Sequence, residues 1–489
     1  MNLSTLRQDI PAGIVVFLVA LPLCLGIAQA SGLSPFVGLV TGVIGGLVVT
    51  LLSPSRYAVS GPAAGLVTIV SGAIESLGSF AALLFAIMLS GILQYLMGMA
   101  RVGRFISVVP GSVIRGMLAA IGLLLIMQQI PLALGLADPK QIGSLWHDLS
   151  SLPSFSAPFV AISGLLLLWC WDHPAIKQHK ILSWFPGPLV AVLFGGLCAL
   201  FGDRIIPDFA ATLPRIQLPE FDNLGQLAAE VIRPDWQVWN NPTVYIVAVT
   251  LALVASLETL LSQEALKKIK PQTPPPSPDK ELRAQGVGNL LSGFVGGLPI
   301  TAVIVRSSVN VNAGGRSKIS ILLHAVLLLL SVRYMSQLLN IIPLASLAAV
   351  LLYTGYKLAA PALFVSQWKN GWQQFAPFII TITGIIVFGM LAGIGLGIAS
   401  QLAISSYKSH RNALQLTRYG NHFVLRFQKN LTFVHNPHLQ SLLNKIPAHS
   451  VVIVEHDNAD YIDADVKNML LEFREEATQR GIRLAQWPL

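Results

Sequence analysis

The chain has 489 residues, 53% of them hydrophobic and only 11% charged, with a mean hydropathy of +0.65. A soluble domain carries about 25% charged residues, so this composition excludes a soluble globular fold and defines a polytopic membrane protein. A net charge of +9 would point to nucleic acid in a soluble chain. Here the lysines and arginines fall in short loops between apolar segments, where bilayer orientation explains them and no nucleic-acid partner is implied.

Fourteen apolar segments can be counted, several of them interrupted. The first, 10–30, contains "VALPLCLGIAQA", and Pro22 is expected to break it. Asp9 and Pro11 lead straight into a run too long for a signal h-region, so no cleavable leader is expected. The second, 36–52, carries Gly38, Gly42, Gly45 and Gly46, which permit close helix packing. The third, 57–74, opens with "YAVSGPAAG" and is too interrupted for one plain span. Segments at 79–98, 105–134, 157–171 and 184–201 follow, the second of these holding Pro110, Gly111 and Arg115. A polar loop occupies 202–241.

The eighth segment is 244–266 and the ninth 286–297, separated by the proline-rich linker PQTPPPSPDK at 271–280. The tenth lies within 296–318, GGLPITAVIVRSSVNVNAGGRSK. Segments at 319–332 and 337–356 precede a polar bend at 366–374, and two more occupy about 376–391 and 393–406. After Lys408 the composition turns soluble: "HFVLRFQKNLTFVH" alternates as a strand, "SVVIVEHD" reads as a short buried strand, and "VKNMLLEFREEATQRG" has helical periodicity with Gly481 as its stop.

Charge placement orients this count. With the N-terminus inside, the even-numbered loops hold Arg56; Arg101 and Arg104; Lys177 and Lys180; Lys267, Lys268, Lys270, Lys280 and Arg283; Arg316 and Lys318; Lys357 and Lys369. The 202–241 loop is net acidic, with Asp203, Asp208, Glu220, Asp222, Glu230 and Asp235 against Arg204, Arg215 and Arg233. Both termini are therefore expected in the cytoplasm.

Segment ten cannot span alone. Its apolar run, 300–305, is far shorter than the ~20 residues a transmembrane helix needs, and Arg306 is an ionisable group that costs ~3 kcal/mol or more at membrane depth. A short, glycine-bracketed, arginine-bearing segment reads as a broken helix at a substrate site. Segments three and ten hold corresponding places in two sets of seven, the pattern of inverted repeats around a midplane site. Helix N-termini expose unpaired N–H groups and about half a positive charge. An anion between these two segments would meet N–H groups near Gly61, Ala63 and Ala64 on one side and those of Val305, Arg306 and Ser307 on the other. Pro22 of the first segment is assigned to the same set.

Segment eight holds "ASLETLLSQEAL", with Glu258 in an apolar helix and Ser262 one turn on along the same face. A carboxylate there needs a cation, a proton or Arg306 as partner. Glu258, Ser262 and Ala302 form the candidate coupling-ion set. Glu75 and Arg115 are expected at the interface and His324 in packing. No nucleophile–base or metal-ligand constellation is visible, so the chain is not expected to be an enzyme, and no cofactor beyond a coupling ion is expected.

The forty residues ELRAQGVGNLLSGFVGGLPITAVIVRSSVNVNAGGRSKIS, 281–320, resemble the signature of the SulP (sulfate permease) family of anion transporters. The resemblance implies an all-α transport domain over 1–408, built as seven plus seven inverted repeats (about 9–202 and 243–408) divided into core and gate. It also implies a cytoplasmic STAS-like domain over 409–489, a homodimer, and a place in a bacterial inner membrane. The tail departs from a full STAS pattern: the chain ends at Leu489 before the last expected helix, and Ala464 holds the position of the serine phosphorylated in bacterial relatives. Val305 and Leu23 stand where many sulfate-type members carry serine and glutamine, and "ALPLCLG" is closer to the bicarbonate branch. In sodium-coupled bicarbonate relatives the position of Glu258 is aspartate, with a hydroxyl four residues later, kept here as Ser262. The expectation is secondary active transport of a small inorganic anion, bicarbonate before sulfate, coupled to Na⁺ or H⁺ by alternating access. Sulfate–proton symport is the rival, and an anion channel or voltage-responsive structural protein is the rival of another class.

Overall fold

The computed structural model describes residues 3–103, 109–136, 155–177, 185–219, 231–272, 275–411, 413–431, 435–455 and 462–486. Arg104, Lys180, Glu220, Asp222 and Glu230, used above for orientation, lie outside them. Seven helices among the described residues are long and apolar enough to cross a membrane, and five shorter ones are also apolar. The chain divides into a unit of Met1–Lys369 with Phe378–Gly397, and a unit of Asn370–Pro377 with Ile398–Leu489.

In the first unit α1 (Leu3–Ala30) is one continuous helix with Pro11 and Pro22 inside it, so the break expected at Pro22 does not form. Each proline removes one intrahelical bond, but α1 is largely buried, and packing by its neighbours keeps the chain helical through both. α2 (Pro35–Leu52) contains a π-helical turn at Gly45–Val49. Then comes β1 (Ser60–Pro62), followed by α3 (Ala64–Leu77), whose first turn is 3₁₀. The chain continues through α4 (Phe80–Met99), α5 (Gly111–Ala133), α6 (Ser156–Trp171) and α7 (Gly187–Phe201). α7 is only 22% buried, and Leu193, Leu197 and Leu200 on it are exposed apolar side chains that suit a lipid face.

The second half opens with α8 (Pro242–Ile269) and α9 (Pro278–Phe294). α9 begins inside the predicted linker, because Ser277 caps it by accepting from the Lys280 N–H. α9 packs on α4 nearly backbone to backbone: a Cβ on Gly286 would stand 2.6 Å from the Gly91 carbonyl oxygen, and one on Gly91 2.6 Å from that of Gly286. β2 (Ile300–Ala302) and α10 (Ile304–Asn312) come next, then α11 (Ile319–Tyr334), α12 (Leu344–Leu358) and α13 (Pro361–Lys369). The polar bend expected at 366–374 is thus largely helical, and the turn falls at Gly371, which adopts φ 92°. α14 (Trp372–Phe388) and α15 (Met390–Arg411) complete the helical series.

β1 and β2 pair antiparallel, Ser60 with Ala302, Gly61 with Thr301 and Pro62 with Ile300. This corrects the all-α expectation for the membrane region. Pro62 and Pro299 disfavour helix at these two stretches, and two extended stretches satisfy each other's backbone groups where neither could remain bare.

The second unit has its own core. Its sheet runs β3 (Leu414–Tyr419), β4 (His422–Phe427), β5 (Val451–Glu455), β6 (Arg483–Gln486) in spatial order, antiparallel at the first pairing and parallel at the next two. Leu425, Phe427, Val452 and Val454 alternate inward against α16 (Asn436–Leu443) and α17 (Ala464–Gln479), which contribute Leu439, Leu470 and Phe473. Ala464 is the first residue of α17, with Asp463 as its cap.

Candidate functional site

Polar side chains hold the strand pair. The Ile300 N–H donates to Asn289 Oδ1 at 2.6 Å, and Asn289 Nδ2 donates to the Ile300 carbonyl at 3.1 Å. The same Nδ2 reaches Gln94 Oε1 on α4, and Gln94 Nε2 donates to Ser256 Oγ on α8. The Ala302 N–H donates to Thr259 Oγ1 at 3.2 Å. On the β1 side Gln285 Nε2 donates to Ser60 Oγ at 2.8 Å and to Glu281 Oε1 at 3.1 Å, while Ser53 Oγ donates to Glu281 Oε2 at 2.5 Å. Leaving one such buried group unpaired costs about 1–3 kcal/mol, so the network sets where each strand ends.

Each strand delivers a helix N-terminus. In α10 the first i to i−4 bond runs from the Ser307 N–H to the Val303 carbonyl at 3.0 Å, so the N–H groups of Ile304, Val305 and Arg306 precede it. In α3 the first bond runs from the Leu66 N–H to the Ala63 carbonyl at 3.2 Å, leaving those of Ala64 and Gly65 ahead of it. A cavity of about 340 Å³ lies at both ends. Ala64 and Gly65, Val303 to Arg306, and Glu258 and Ser262 border it, with Leu23 and Ile27 from α1 and a facing wall from α5 and α12.

Arg306 is 0% exposed although it borders the cavity. Its guanidinium is folded back on β1, where Nη2 donates to the Pro62 carbonyl at 3.3 Å. The Cys24 thiol lies against the guanidinium, and Nε and Nη1 have no hydrogen-bond partner among the described residues. A side chain on Gly61 would collide with Nη1, so only glycine lets the arginine lie there. The guanidinium therefore lies on β1, beside the cavity that Val303 to Arg306 border.

Glu258 sits at the other N-terminus. A Cβ on Gly65 would stand 2.9 Å and 3.0 Å from its two carboxylate oxygens; the Gly65 N–H donates to the carboxylate, and among the described residues Oε2 has no hydrogen-bond partner. Neither Glu258 nor Arg306 takes part in an ion pair among the described residues, so the partnership considered from sequence is not formed.

The remaining sequence candidates stand off the cavity wall. Gly61 and Ala63 belong to the strand and its exit, and Pro22 is buried inside α1 while Leu23 faces the cavity. Ser307 is committed elsewhere: its hydroxyl donates to the Val303 carbonyl and accepts from the Val59 N–H, tying α10 to the start of β1. Ala302 is fully buried and spends its N–H on Thr259. His324 is buried with Nδ1 against the Ile321 carbonyl and Nε2 unpartnered, a less satisfied packing residue than expected.

Sequence reasoning missed Arg115, placed at the interface but found on the cavity wall with Ile121, Thr354 and Leu358. The available signal was an arginine one turn into an apolar helix, which marks a cavity by the same cost argument used for Arg306. It also missed Glu281, which is 0% exposed and stands four residues before Gln285 in the quoted motif.

Two broken segments that cross as paired strands, each ending in a helix N-terminus at a shared cavity, define a polytopic membrane transporter rather than an enzyme. Comparisons with known proteins make the assignment specific. The sulfate permease family model matches residues 6–383, and the chain belongs to that family. It is 29% identical over 407 residues to YvdB of Bacillus subtilis (strain 168), named for sulfate transport, covering 80% of this chain and 73% of that one. It is 25% identical over 429 residues to the bicarbonate transporter BicA of Picosynechococcus, covering 82% and 71%.

Two solved structures share the fold. The transmembrane domain of a cyanobacterial BicA superposes with a TM-score of 0.68 at 22% identity, covering 81% of this chain and 98% of that one. SLC26A9 superposes with a TM-score of 0.77 at 13% identity, covering 99% and 84%. The chain is thus a multi-pass anion transporter of this family, with a small C-terminal sheet unit.

Proposed function

We propose that the chain is a secondary active transporter of a small inorganic anion, with bicarbonate before sulfate as substrate, working by alternating access. The observation that carries this reading is the 340 Å³ cavity where two helix N-termini meet, with Arg306 behind one and Glu258 against the other. Backbone N–H groups of Ala64, Val305 and Arg306 would receive the anion, with Gly61, Ala63, Ser307 and Pro22 shaping the backbone that presents them, while the Gly65 N–H is turned to Glu258. Few side-chain donors line the wall, which suits a singly charged oxyanion. Glu258, with an unpartnered oxygen, and Ser262 would take the coupling ion, Na⁺ or H⁺, with Ala302 holding the strand beside them.

The same reading assigns fourteen spans in two inverted repeats of seven, with α5 and α12 on the gate side of the cavity. It places the transport domain at 1–408, a STAS-like domain at 409–489, both termini in the cytoplasm of a bacterial inner membrane, and a homodimer as the assembly. A sulfate–proton symporter is the second reading, favoured by the 29% identity to YvdB.

Radiolabelled bicarbonate and sulfate uptake into proteoliposomes, under imposed Na⁺ or H⁺ gradients, tests this directly. Uphill bicarbonate accumulation driven by one cation is expected; ohmic anion flux indifferent to both gradients would refute secondary active transport. For orientation, a cysteine at Asn223, outside the described residues, should label from outside intact cells.

A further inference from the structure

Three cationic side chains from three elements meet in a second hollow that the transport reading does not use. Arg7 comes from the first turns of α1, Lys270 follows the end of α8, and Arg316 follows the end of α10; with Gln8 and the backbone of Gly314 and Gly315 they line a concavity of about 400 Å³. None of the three takes part in an ion pair among the described residues. The nearby carboxylates are already committed. Asp9 is 0% exposed and accepts from the Arg316 N–H at 2.7 Å, the Ser317 N–H at 3.1 Å and Ser317 Oγ at 2.5 Å. Glu264 is paired with Lys267 at 2.7 Å.

Convergent like charges repel, and an anion between them removes that cost. Helix C-termini favour a nearby cation, which accounts for Lys270 behind α8 and Arg316 behind α10 taken singly. It does not account for Arg7, which stands in the first turns of a helix and lines the same hollow. Arginine forks match phosphate oxygens two at a time, and basic pockets between membrane helices are a recurrent setting for phosphate-bearing head groups.

We propose that this hollow is a binding site for a phosphate-bearing anion, either the head group of an acidic lipid or a free phosphate compound. The site joins the start of α1 to the far ends of α8 and α10, the helices that carry Glu258 and Arg306. An occupant there clamps three elements of the transport site from outside the transport cavity. The site stands whichever anion is transported.

The test uses the full chain in neutral detergent, with thermal stability followed against short-chain phosphatidylglycerol, short-chain phosphatidylcholine, inorganic phosphate and an ionic-strength-matched chloride control. Phosphatidylglycerol is expected to stabilise saturably and phosphatidylcholine not to. Each of Arg7→Gln, Lys270→Gln and Arg316→Gln should raise the half-saturating concentration about fivefold, and the triple variant should abolish the effect. Arg306→Ala should retain it, separating this site from the transport cavity. Equal stabilisation by inorganic phosphate, lost in the triple variant, supports the site and identifies its ligand as a free phosphate. No saturable stabilisation beyond the chloride control, or an unchanged response in the triple variant, overturns the proposal and leaves the transport reading untouched.

Discussion

The segments β1–α3 and β2–α10 are built alike and furnished differently. Each is three extended residues followed by a helix that starts at the cavity. The first carries only small uncharged residues at its turn, Gly61 to Gly65, and borrows its ionisable neighbour, Glu258, from α8. The second carries its own charge, Arg306, and folds it back over the first strand. Their supports differ too: β2 is gripped through its backbone by Asn289 and Thr259, whereas β1 is held through the Ser60 side chain by Gln285. On the proposed reading, backbone geometry supplies an anion cradle at both ends, and the asymmetry of charge separates an anion side from a cation side.

The strongest way to break this comparison is Gly61→Val. The new side chain would occupy the space of the Arg306 guanidinium, which is fully buried and can leave only by giving up the Pro62 carbonyl and swinging into the cavity it borders. Loss of monodisperse protein in fluorescence-detected size exclusion is expected, and wild-type elution with unchanged melting would show that β1 does not lie on Arg306.

The difference in supports predicts a graded pair. Asn289→Ala strips both backbone partners of Ile300 together with a bond to Gln94 and should cost roughly 3 kcal/mol. Gln285→Ala loses side-chain partners only and should cost about 1 kcal/mol. Thermal unfolding of the two variants checks the order, and equal losses would mean the strands are held equivalently.

Arg306→Ala and Glu258→Gln test the separation of charges. Because the two do not pair, their stability effects should add to within about 0.5 kcal/mol in a double-mutant cycle. Arg306→Ala should weaken anion binding. Glu258→Gln should abolish cation-driven accumulation and leave some exchange. Strong stability coupling with unaltered binding in the double variant would reduce the two to a structural pair.

The smallest effect concerns the wall. Val305→Ser with Leu23→Gln adds donors beside the N-terminus of α10. One extra hydrogen bond of about 1 kcal/mol should shift the ratio of half-saturation constants about fivefold toward sulfate. An unmoved ratio would show that backbone N–H groups alone set the preference.

Much of this site could be read from local pattern. The run from Ile300 to Val305 is too short to span, Arg306 is too costly to leave in lipid, and Glu258 with Ser262 shares a helix face; each inference needs only neighbouring residues. Other points were not legible in the same way. Pro22 looks like a break because proline destabilises an isolated helix there, and α1 stays helical through it because its neighbours enclose it. The Ser307 N–H, read as facing an anion, closes the first turn of α10 on the Val303 carbonyl, and its hydroxyl accepts from Val59, 248 residues away in sequence.

By itself the sequence determined a membrane protein with broken segments at corresponding places, a helix N-terminus on each, and a tail of alternating strands and an amphipathic helix. Hydropathy, helix period and the cost of a bare charge in lipid all act over a few turns of chain, so they are written locally. Only the tertiary structure decided that β1 and β2 pair, that Arg306 turns onto Pro62 and away from Glu258, and that Arg115 and α12 complete the facing wall. Those outcomes depend on which faces meet across the two halves, and a backbone group satisfied by a distant partner leaves no mark on its own neighbours in sequence.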